Sequence, residues 1–340
     1  MDPSKYRDDG TLWLEKGIPL EFNLEKLGLW LKEKGPVSYL MFGITYECQC
    51  RCRHCCVGNY VREKHRELTT EQAKSVLDQA NKALAVNFFG GEPTMRKDLM
   101  ELISYASERA VFVFLDTNGI KVNRDYAQKL KDSGLDLLYV SIDSPHPEEH
   151  DEYRGYKGCF EKAVQAVKNA LSVGLKVVIS TYITKENLAN GDFERVIQMA
   201  RDLGATGVRY LLPTPAGRWL YNVDVRLSPQ EEEKVRKIVE YPFVCRDFYF
   251  QNQASSRCRG IADKEYIYIS PYGDVQPCCF MPLAFGNIKE EPLKVILDRM
   301  WSHPMYSEPC IFKECPMLSD EFRSKYIDTI PRNTKLPFRM

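Results

Sequence analysis

The chain has 340 residues, enough for one large domain or for one domain with a smaller second one. Its 47 basic and 47 acidic residues give a formal net charge of zero, so the charge predicts no nucleic-acid partner. The sequence has no apolar run of roughly 18 residues that would predict a membrane span. Its first residues lack the apolar stretch of a signal peptide. We therefore expect a cytoplasmic protein, whose twelve cysteines favour metal binding or catalysis over disulfides.

The elements begin with an N-terminal extension, residues 1–37, in which residues 20–33 have the pattern of a short amphipathic helix. From residue 38 to 227, strand-like runs alternate with helical stretches. The predicted strands are Tyr39–Thr45, Ala85–Phe89, Val111–Leu115, Asp136–Ile142, Lys176–Ile183 and Gly207–Leu212. Such alternation predicts a parallel sheet, and about 175 residues are too few for a complete eight-fold barrel. The predicted fold class is α/β, a six-fold (β/α) partial barrel with its site at the C-terminal strand ends.

Local patterns define some helices of this region. Thr69 with Gln72 predicts a capping box at the start of the first helix. Two later helices each have four apolar residues on one face. These faces are Leu99, Leu102, Ile103 and Ala106 in one helix, and Phe160, Val164, Val167 and Leu171 in the other.

Residues 228–340 have a different pattern. A charged helix over 228–241 is expected to connect the barrel to the C-terminal part of the chain. The turn Pro271–Asp274 between two short apolar runs predicts a β-hairpin, and residues 292–301 are predicted to be helical. The pattern therefore predicts a linker helix and then a small C-terminal α+β module.

A dense cysteine cluster follows the first predicted strand directly. Cys48, Cys52 and Cys55 have the spacing Cys-x3-Cys-x2-Cys. Thiolates are the ligands of iron–sulfur clusters, and three of them leave one iron of a four-iron cluster open to a small molecule with an amine and a carboxylate. A structural zinc site is the alternative, with Cys50 or Cys56 as its fourth ligand.

The second predicted strand ends in Gly90-Gly91-Glu92-Pro93, and two glycines there allow close backbone approach to a ligand. With the cysteine triad, this motif resembles the radical SAM superfamily over roughly residues 39–215. The resemblance implies that Cys48, Cys52 and Cys55 hold a [4Fe-4S] cluster. It also implies that residues 90–93 contact the methionyl amine of S-adenosylmethionine, mostly through the backbone.

Further strand ends carry polar residues that, by the same resemblance, contact the ribose, carboxylate and adenine of S-adenosylmethionine. Arg154 resembles the arginine that pairs with the methionyl carboxylate, a task that suits a bidentate guanidinium. The other implied contacts are Thr117, Asn118, Ser141, Asp143 and Ser180.

A second cysteine set lies in the C-terminal module. Cys258 and Cys278 flank the predicted hairpin with the spacing Cys-x14-Gly-x4-Cys, and Cys310 and Cys315 follow. This resembles the auxiliary-cluster module called SPASM in its long form and twitch in its short form. The short form is implied, with one auxiliary [4Fe-4S] cluster ligated by all four cysteines. Cys245 or Cys279 could replace Cys310, and zinc is again the alternative.

The resemblance implies an oxygen-sensitive enzyme. An electron from a flavodoxin or ferredoxin allows reductive cleavage of S-adenosylmethionine to a 5′-deoxyadenosyl radical, which abstracts hydrogen from a substrate C–H bond. Peptide or protein modification is the favoured expectation. The alternatives are dehydrogenation or another modification of a small metabolite, tetrapyrrole or lipid, and a non-catalytic iron–sulfur electron-transfer protein.

Overall fold

The computed structural model describes residues 32–33, 35–60, 63–240, 243–246 and 258–340. Most of the helix predicted over residues 20–33 lies outside the described residues. The described residues form eleven strands. The first six of these agree with the six strands predicted in the barrel to within two residues at each end. The strands are β1 Tyr39–Thr45, β2 Ala85–Gly90, β3 Phe112–Thr117, β4 Leu137–Ser141, β5 Lys176–Tyr182, β6 Gly207–Leu211, β7 Val244–Arg246, β8 Tyr266–Ile269, β9 Val275–Gln276, β10 Leu283–Ala284 and β11 Phe338–Arg339.

Helices follow most of the strands and cover the sheet. Between strands β1 and β7, six of the described helices have nine residues or more. The helices of the described residues are α1 Thr70–Gln79, α2 Leu99–Ser107, α3 Arg124–Asp132, α4 Pro147–Arg154, α5 Cys159–Ser172, α6 Lys185–Ala189, α7 Asp192–Asp202, α8 Pro229–Ile238, α9 Arg259–Ala262, α10 Leu293–Trp301 and α11 Asp320–Tyr326. None of them is both long and apolar enough to cross a membrane.

The main sheet has the strand order β7-β6-β5-β4-β3-β2-β1-β8-β9. Each neighbouring pair is parallel except β8 and β9, which form the predicted antiparallel hairpin. Consecutive barrel strands are thus neighbours in the order expected of a partial (β/α) barrel. Parallel strands covered on both faces are apolar throughout, and β1 and β3 are buried along their whole length.

The C-terminal module continues the barrel sheet. Strand β8 pairs in parallel with β1, with Tyr266 opposite Tyr39 and Ile269 opposite Phe42. Cys278 follows two residues after β9, which is separated from the barrel strand β1 by β8. The domain boundaries predicted at residues 37 and 227 stay predictions.

Two of the three local helix predictions are confirmed. The Thr69 side chain accepts a hydrogen bond from the Gln72 backbone N–H at 3.3 Å, and the Gln72 side chain accepts one from the Thr69 N–H at 3.0 Å. All four predicted apolar residues of α2 are buried.

The four apolar residues predicted on one face of α5 all pack against the core, but Val167 is the one among them that is fully buried. Its buried residues are Cys159, Ala163, Ala166, Val167 and Ala170, whereas Phe160, Val164 and Leu171 are only half-buried. The small residues face inward because the loop after β3 comes very close: a Cβ on Gly119 would lie 2.9 Å from the Ala166 Cβ. Close approach of backbone, rather than the largest apolar area, determines which face packs inward.

Candidate active site

A cavity with about 1000 Å³ of empty space, partly open to solvent, lies at the C-terminal ends of the barrel strands. Every predicted residue of the first cluster and of the S-adenosylmethionine site lines it, with the exception of Asp143. The predicted residues in the lining are Cys48, Cys52, Cys55, Gly90, Gly91, Glu92, Pro93, Thr117, Asn118, Ser141, Arg154 and Ser180. Residues far apart in the sequence therefore meet in one chamber.

The loop after β1 gathers the first thiols. Cys52 is buried, and the Arg154 Nη1 donates to its sulfur at 3.8 Å. The contact with Cys50 and the Arg154 charge outweigh burial and lower the pKa of Cys52 to about 6, whereas burial raises the pKa of Cys55 to about 12. Cys50 lies 4.0 Å from Cys159, sulfur to sulfur, in a buried cluster that also includes Cys52. The surroundings therefore favour the thiolate form of Cys52, whereas burial disfavours it at Cys55.

The Gly90–Gly91 pair packs backbone against backbone. The Gly91 N–H donates to the Thr45 carbonyl at 2.7 Å. Gly90 has a φ of +145°, which favours glycine. A Cβ on Gly91 would lie 2.7 Å from the Tyr46 carbonyl oxygen. The expectation that these glycines only make room for a ligand is therefore incomplete, because they also make room for the chain that leads into Cys48.

Glu92 is a buried carboxylate that joins two strand ends. Its Oε1 accepts hydrogen bonds from the Thr94 N–H at 3.1 Å, the Thr94 hydroxyl at 2.6 Å and the Thr117 hydroxyl at 2.7 Å. Its Oε2 accepts one from the Asn118 N–H at 2.7 Å. Burial raises the pKa of Glu92, although these hydrogen bonds oppose the shift. Three of the predicted contact residues are thereby held in one hydrogen-bonded unit.

Arg154 and Asp143 form a buried ion pair, with Arg154 Nε 2.6 Å from Asp143 Oδ2. His54, just before the third cysteine, lies 3.7 Å from the same carboxylate, and burial lowers the pKa of its imidazole to about 4. Asp143 also accepts from the Tyr182 N–H at 3.0 Å. Asp143 therefore lies behind Arg154 and positions it, while Arg154 and His54 line the cavity.

A second buried network was not found from the sequence. Arg209 in β6 pairs with Asp116 in β3, and its Nη2 donates to the Ser180 hydroxyl at 2.8 Å. Asn87 donates to the other oxygen of Asp116 at 2.7 Å. The available signal was an arginine in the middle of a buried strand, since a buried charge needs a partner.

The second cysteine set converges around Cys278. Burial raises the pKa of Cys278 well above its ordinary value, and the nearby thiols Cys279, Cys258 and Cys315 raise it further. Cys310 has other neighbours: burial raises the pKa of its thiol, a hydrogen bond with Ser319 lowers it, and the Glu308 carboxylate raises it.

Of the two residues proposed as substitutes for Cys310, Cys279 is near Cys278, whereas Cys245 lies elsewhere. Cys279 lines the main cavity together with Cys56, which it hydrogen-bonds. Cys245 lies in β7, where its thiol donates to the Val208 carbonyl at 3.8 Å. The cysteine loop after β1 and the C-terminal module therefore meet at Cys56 and Cys279.

Comparison with known proteins identifies the family. The profile of the radical SAM superfamily matches residues 42–208, and that of the SPASM iron–sulfur cluster-binding domain matches residues 258–326. The mycofactocin maturase MftC of Mycolicibacterium smegmatis is 30% identical over 285 residues, which cover 78% of this chain and 70% of that protein. The chain belongs to the radical SAM superfamily.

Other relatives extend the comparison. The AdoMet-dependent heme synthase of Nitratidesulfovibrio vulgaris is 27% identical over 78% of this chain and 80% of its own length. The crystal structure of Streptococcus suis SuiB bound to S-adenosylmethionine superposes with a TM-score of 0.62 at 16% identity, over 84% of this chain and 70% of that one. The structural likeness confirms the α/β partial-barrel fold, and the relatives make this radical SAM protein an enzyme.

Membership of the superfamily also gives the cofactors. The radical SAM domain binds a [4Fe-4S] cluster and S-adenosylmethionine, and the SPASM domain binds an auxiliary iron–sulfur cluster, so iron–sulfur clusters take the place of the zinc alternatives. The residues present fit both groups: three thiols open onto the cavity. At the second set, the buried Tyr306 hydroxyl has no hydrogen-bond partner among the described residues, and burial and then the Cys278 and Cys258 thiols raise its pKa.

Proposed function

We propose that this radical SAM enzyme abstracts a hydrogen atom from a C–H bond of a peptide substrate bound in the cavity. The observation that supports this is a shared lining: the first cysteine triad, the Gly90–Pro93 segment and Cys279 of the C-terminal module all border one chamber. A substrate there lies beside the first cysteine triad and beside Cys279, the chain neighbour of Cys278 in the second set.

In this proposal each part of the chain has a role. Cys48, Cys52 and Cys55 hold the first cluster, and Cys258, Cys278, Cys310 and Cys315 hold the auxiliary cluster. With electrons from a flavodoxin or ferredoxin, bound cluster and S-adenosylmethionine supply a 5′-deoxyadenosyl radical as the hydrogen-abstracting agent. The protein contributes orientation, exclusion of water and fixed charges.

S-adenosylmethionine is proposed to bind over β2 to β5. The backbone of residues 90–93 faces its amine, and Arg154 faces its carboxylate. Thr117, Asn118, Ser141 and Ser180 supply polar contacts, and Asp143 acts through Arg154. The Glu92 network keeps the ends of β2 and β3 in register, so the contacts are preorganised before ligand enters.

A peptide is favoured because the relatives include a PqqA peptide cyclase of Granulibacter bethesdensis, which is 26% identical over 75% of this chain and 72% of its own length. A tetrapyrrole is the second candidate, supported by the 27% identity with a heme synthase over most of both chains.

The test compares strains with and without the gene, grown without oxygen, by untargeted profiling of peptides and metabolites. Complementation with the wild-type gene is expected to restore one new mass, and complementation with Cys52→Ala is expected not to. A restored peptide mass supports the proposal, whereas a restored tetrapyrrole mass supports the second candidate. Restoration by Cys52→Ala would contradict cluster-dependent chemistry altogether.

A further inference from the structure

Among the described residues, three arginines line the cavity, and two of them have an acidic partner. Arg154 pairs with Asp143, and Arg209 pairs with Asp116. Within the described part of the chain, the third, Arg218, makes no ion pair. A cation that borders a substrate cavity without an anion nearby is a candidate for binding an anionic group.

The position of Arg218 is built into the fold. It lies in a short 3-10 turn, Gly217–Trp219, and its N–H donates to the Cys55 carbonyl at 3.1 Å. Gly217 has a φ of +53°, and a Cβ there would lie 2.5 Å from the Cys56 Cα. A Cβ on Gly58 would lie 2.6 Å from the Arg218 Nε. Two glycines thus allow the turn to pack on the cysteine loop and the Arg218 side chain to lie over it.

The C-terminal module fixes the same turn from its other side. Arg323, buried in α11, donates to the Pro215 carbonyl at 3.1 Å and to the Leu220 carbonyl at 2.6 Å. These two carbonyls flank the 3-10 turn. The backbone of this turn is therefore fixed on both sides, and the Arg218 side chain, although itself exposed, starts from a preorganised position at the edge of the cavity.

The carboxylates of the cavity lining are already used. Glu92 accepts four hydrogen bonds from neighbouring residues, and Asp116 is shared between Asn87 and Arg209. The rest of the lining that is not assigned to S-adenosylmethionine holds no further carboxylate among the described residues, and it includes the apolar residues Met41, Leu211 and Phe280. A bound substrate is therefore the source of an anionic partner for Arg218. A planar guanidinium suits a carboxylate, which it binds in bidentate geometry.

We propose that Arg218 binds a carboxylate of the substrate and thereby determines which substrates enter the cavity. This rests on the proposed function and narrows it to carboxylate-bearing substrates. In a peptide the carboxylate belongs to an acidic residue or the C-terminus, and in a tetrapyrrole to a propionate. The rival role for Arg218 is to offset negative charge at Cys55, whose pKa it lowers against the larger effect of burial.

The experiment measures ligand binding to the full-length, anaerobically reconstituted enzyme with S-adenosylmethionine present. In the peptide arm, a pool of N-acetylated tetrapeptides ending in a free carboxylate is compared with the same pool ending in an amide, by affinity selection and mass spectrometry. In the tetrapyrrole arm, haem is compared with its dimethyl ester by absorbance titration. The variants are Arg218→Gln and Arg218→Lys. Arg236→Gln removes the same charge from an exposed position on α8 and is the control.

In one arm, the wild type and the control are expected to bind the acid about tenfold or more tightly than its neutral counterpart. Arg218→Gln is expected to lose that preference, and Arg218→Lys to keep part of it. A wild type that makes no distinction in either arm, or a preference that survives in Arg218→Gln, would overturn the proposal.

Electron paramagnetic resonance of the reduced first cluster separates the rival role. An altered signal in Arg218→Gln with unchanged acid preference would assign Arg218 to the cluster and overturn the proposal. The proposed function is tested separately with deuterium-labelled ligand. If the ligand binds at Arg218 through its carboxylate but transfers no deuterium to 5′-deoxyadenosine, the binding site is supported and the hydrogen abstraction is contradicted.

Discussion

Arg154 connects two sites at once: its Nε lies 2.6 Å from Asp143, and its Nη1 lies 3.8 Å from the sulfur of Cys52. The sequence predicted both Arg154 and Asp143 as direct contacts of S-adenosylmethionine. In the structure the two residues have different positions, because Arg154 lines the cavity and Asp143 does not. Asp143 orients the guanidinium from behind and compensates its charge.

We therefore expect Asp143→Asn to be strongly destabilising. Removing one partner of a buried ion pair leaves the other charge uncompensated, which costs about 3–5 kcal/mol. The measurement is the free energy of unfolding of the cluster-free chain in urea. Asp320→Asn is the matched control, because Asp320 also pairs with an arginine, Arg226, but its side chain is 80% exposed. Its loss should stay below about 1 kcal/mol, and equal losses for both variants would contradict the argument.

Gly91→Val is expected to lower the iron content as well as the binding of S-adenosylmethionine. A Cβ at Gly91 meets the Tyr46 carbonyl at 2.7 Å, so the branched side chain displaces the segment that leads into Cys48. Iron per chain after anaerobic reconstitution and the dissociation constant of S-adenosylmethionine measure the two effects. From the sequence alone, only the weaker binding of S-adenosylmethionine was expected.

The control for Gly91→Val is Gly158→Ala. Gly158 has a φ of +80° and nothing within 4 Å of its ideal Cβ, so the change tests backbone strain without a steric clash. It should cost about 1–2 kcal/mol of stability and leave the iron content unchanged. A full complement of iron in Gly91→Val would show that the cysteine loop tolerates the displacement.

The sequence predicted the barrel well because its signals are local. Strand β1 was predicted to the residue, since an apolar run bounded by turn residues determines it. The cysteine triad and the Gly90–Pro93 motif are likewise contiguous patterns. Arg209 and Asp116 are different: they are 93 positions apart and meet only because β6 and β3 border the same chamber.

Residues that depend on close packing were also beyond the sequence. The inward face of α5 depends on how near Gly119 approaches, and Phe160 gave a larger apolar signal than Ala163. Arg218 had no local signal at all. Its role is inferred from two glycines, a clamped turn and the absence of an acidic partner among the described residues, which only the assembled structure brings together.

The buried Glu92 predicts a pH dependence of stability. Burial raises its pKa above the ordinary value of 4.5, so the folded chain holds the proton more tightly than the unfolded chain. The stabilisation linked to that proton is fully present below pH 4.5 and is lost as the pH rises through the raised pKa. Relative to Glu92→Gln, the cluster-free wild type should therefore become more stable as the pH falls from 7 towards 4.5.

Glu231 supplies a control of opposite sign. A hydrogen bond from the Ser228 backbone lowers the pKa of Glu231, so its contribution is present above pH 4.5 and is lost at lower pH. Urea unfolding of Glu92→Gln, Glu231→Gln and wild type at several pH values measures both differences. Two differences that change in the same direction would contradict the assignment for Glu92.

The auxiliary cluster is expected to serve the later half of the reaction rather than cleavage of S-adenosylmethionine. Wild type should hold about eight iron atoms per chain, four for each cluster, and Cys258→Ala with Cys278→Ala should hold about half. Because the cysteine triad and the Gly90–Pro93 segment belong to the barrel, the double variant should still form 5′-deoxyadenosine. It should fail to form product, because four thiolates leave no open iron for substrate and the cluster then exchanges electrons.

Cys279→Ala is the matched control within the same loop. Cys279 lines the cavity beside Cys56, so this variant should keep about eight iron atoms, four in each cluster. Loss of half the iron in Cys279→Ala but not in Cys310→Ala would make Cys279 the fourth ligand. If the Cys258→Ala, Cys278→Ala variant lacks the auxiliary cluster and still forms a normal amount of product, an electron-transfer role for that cluster is contradicted. Since β8 pairs with β1, circular dichroism must first show that the double variant is folded.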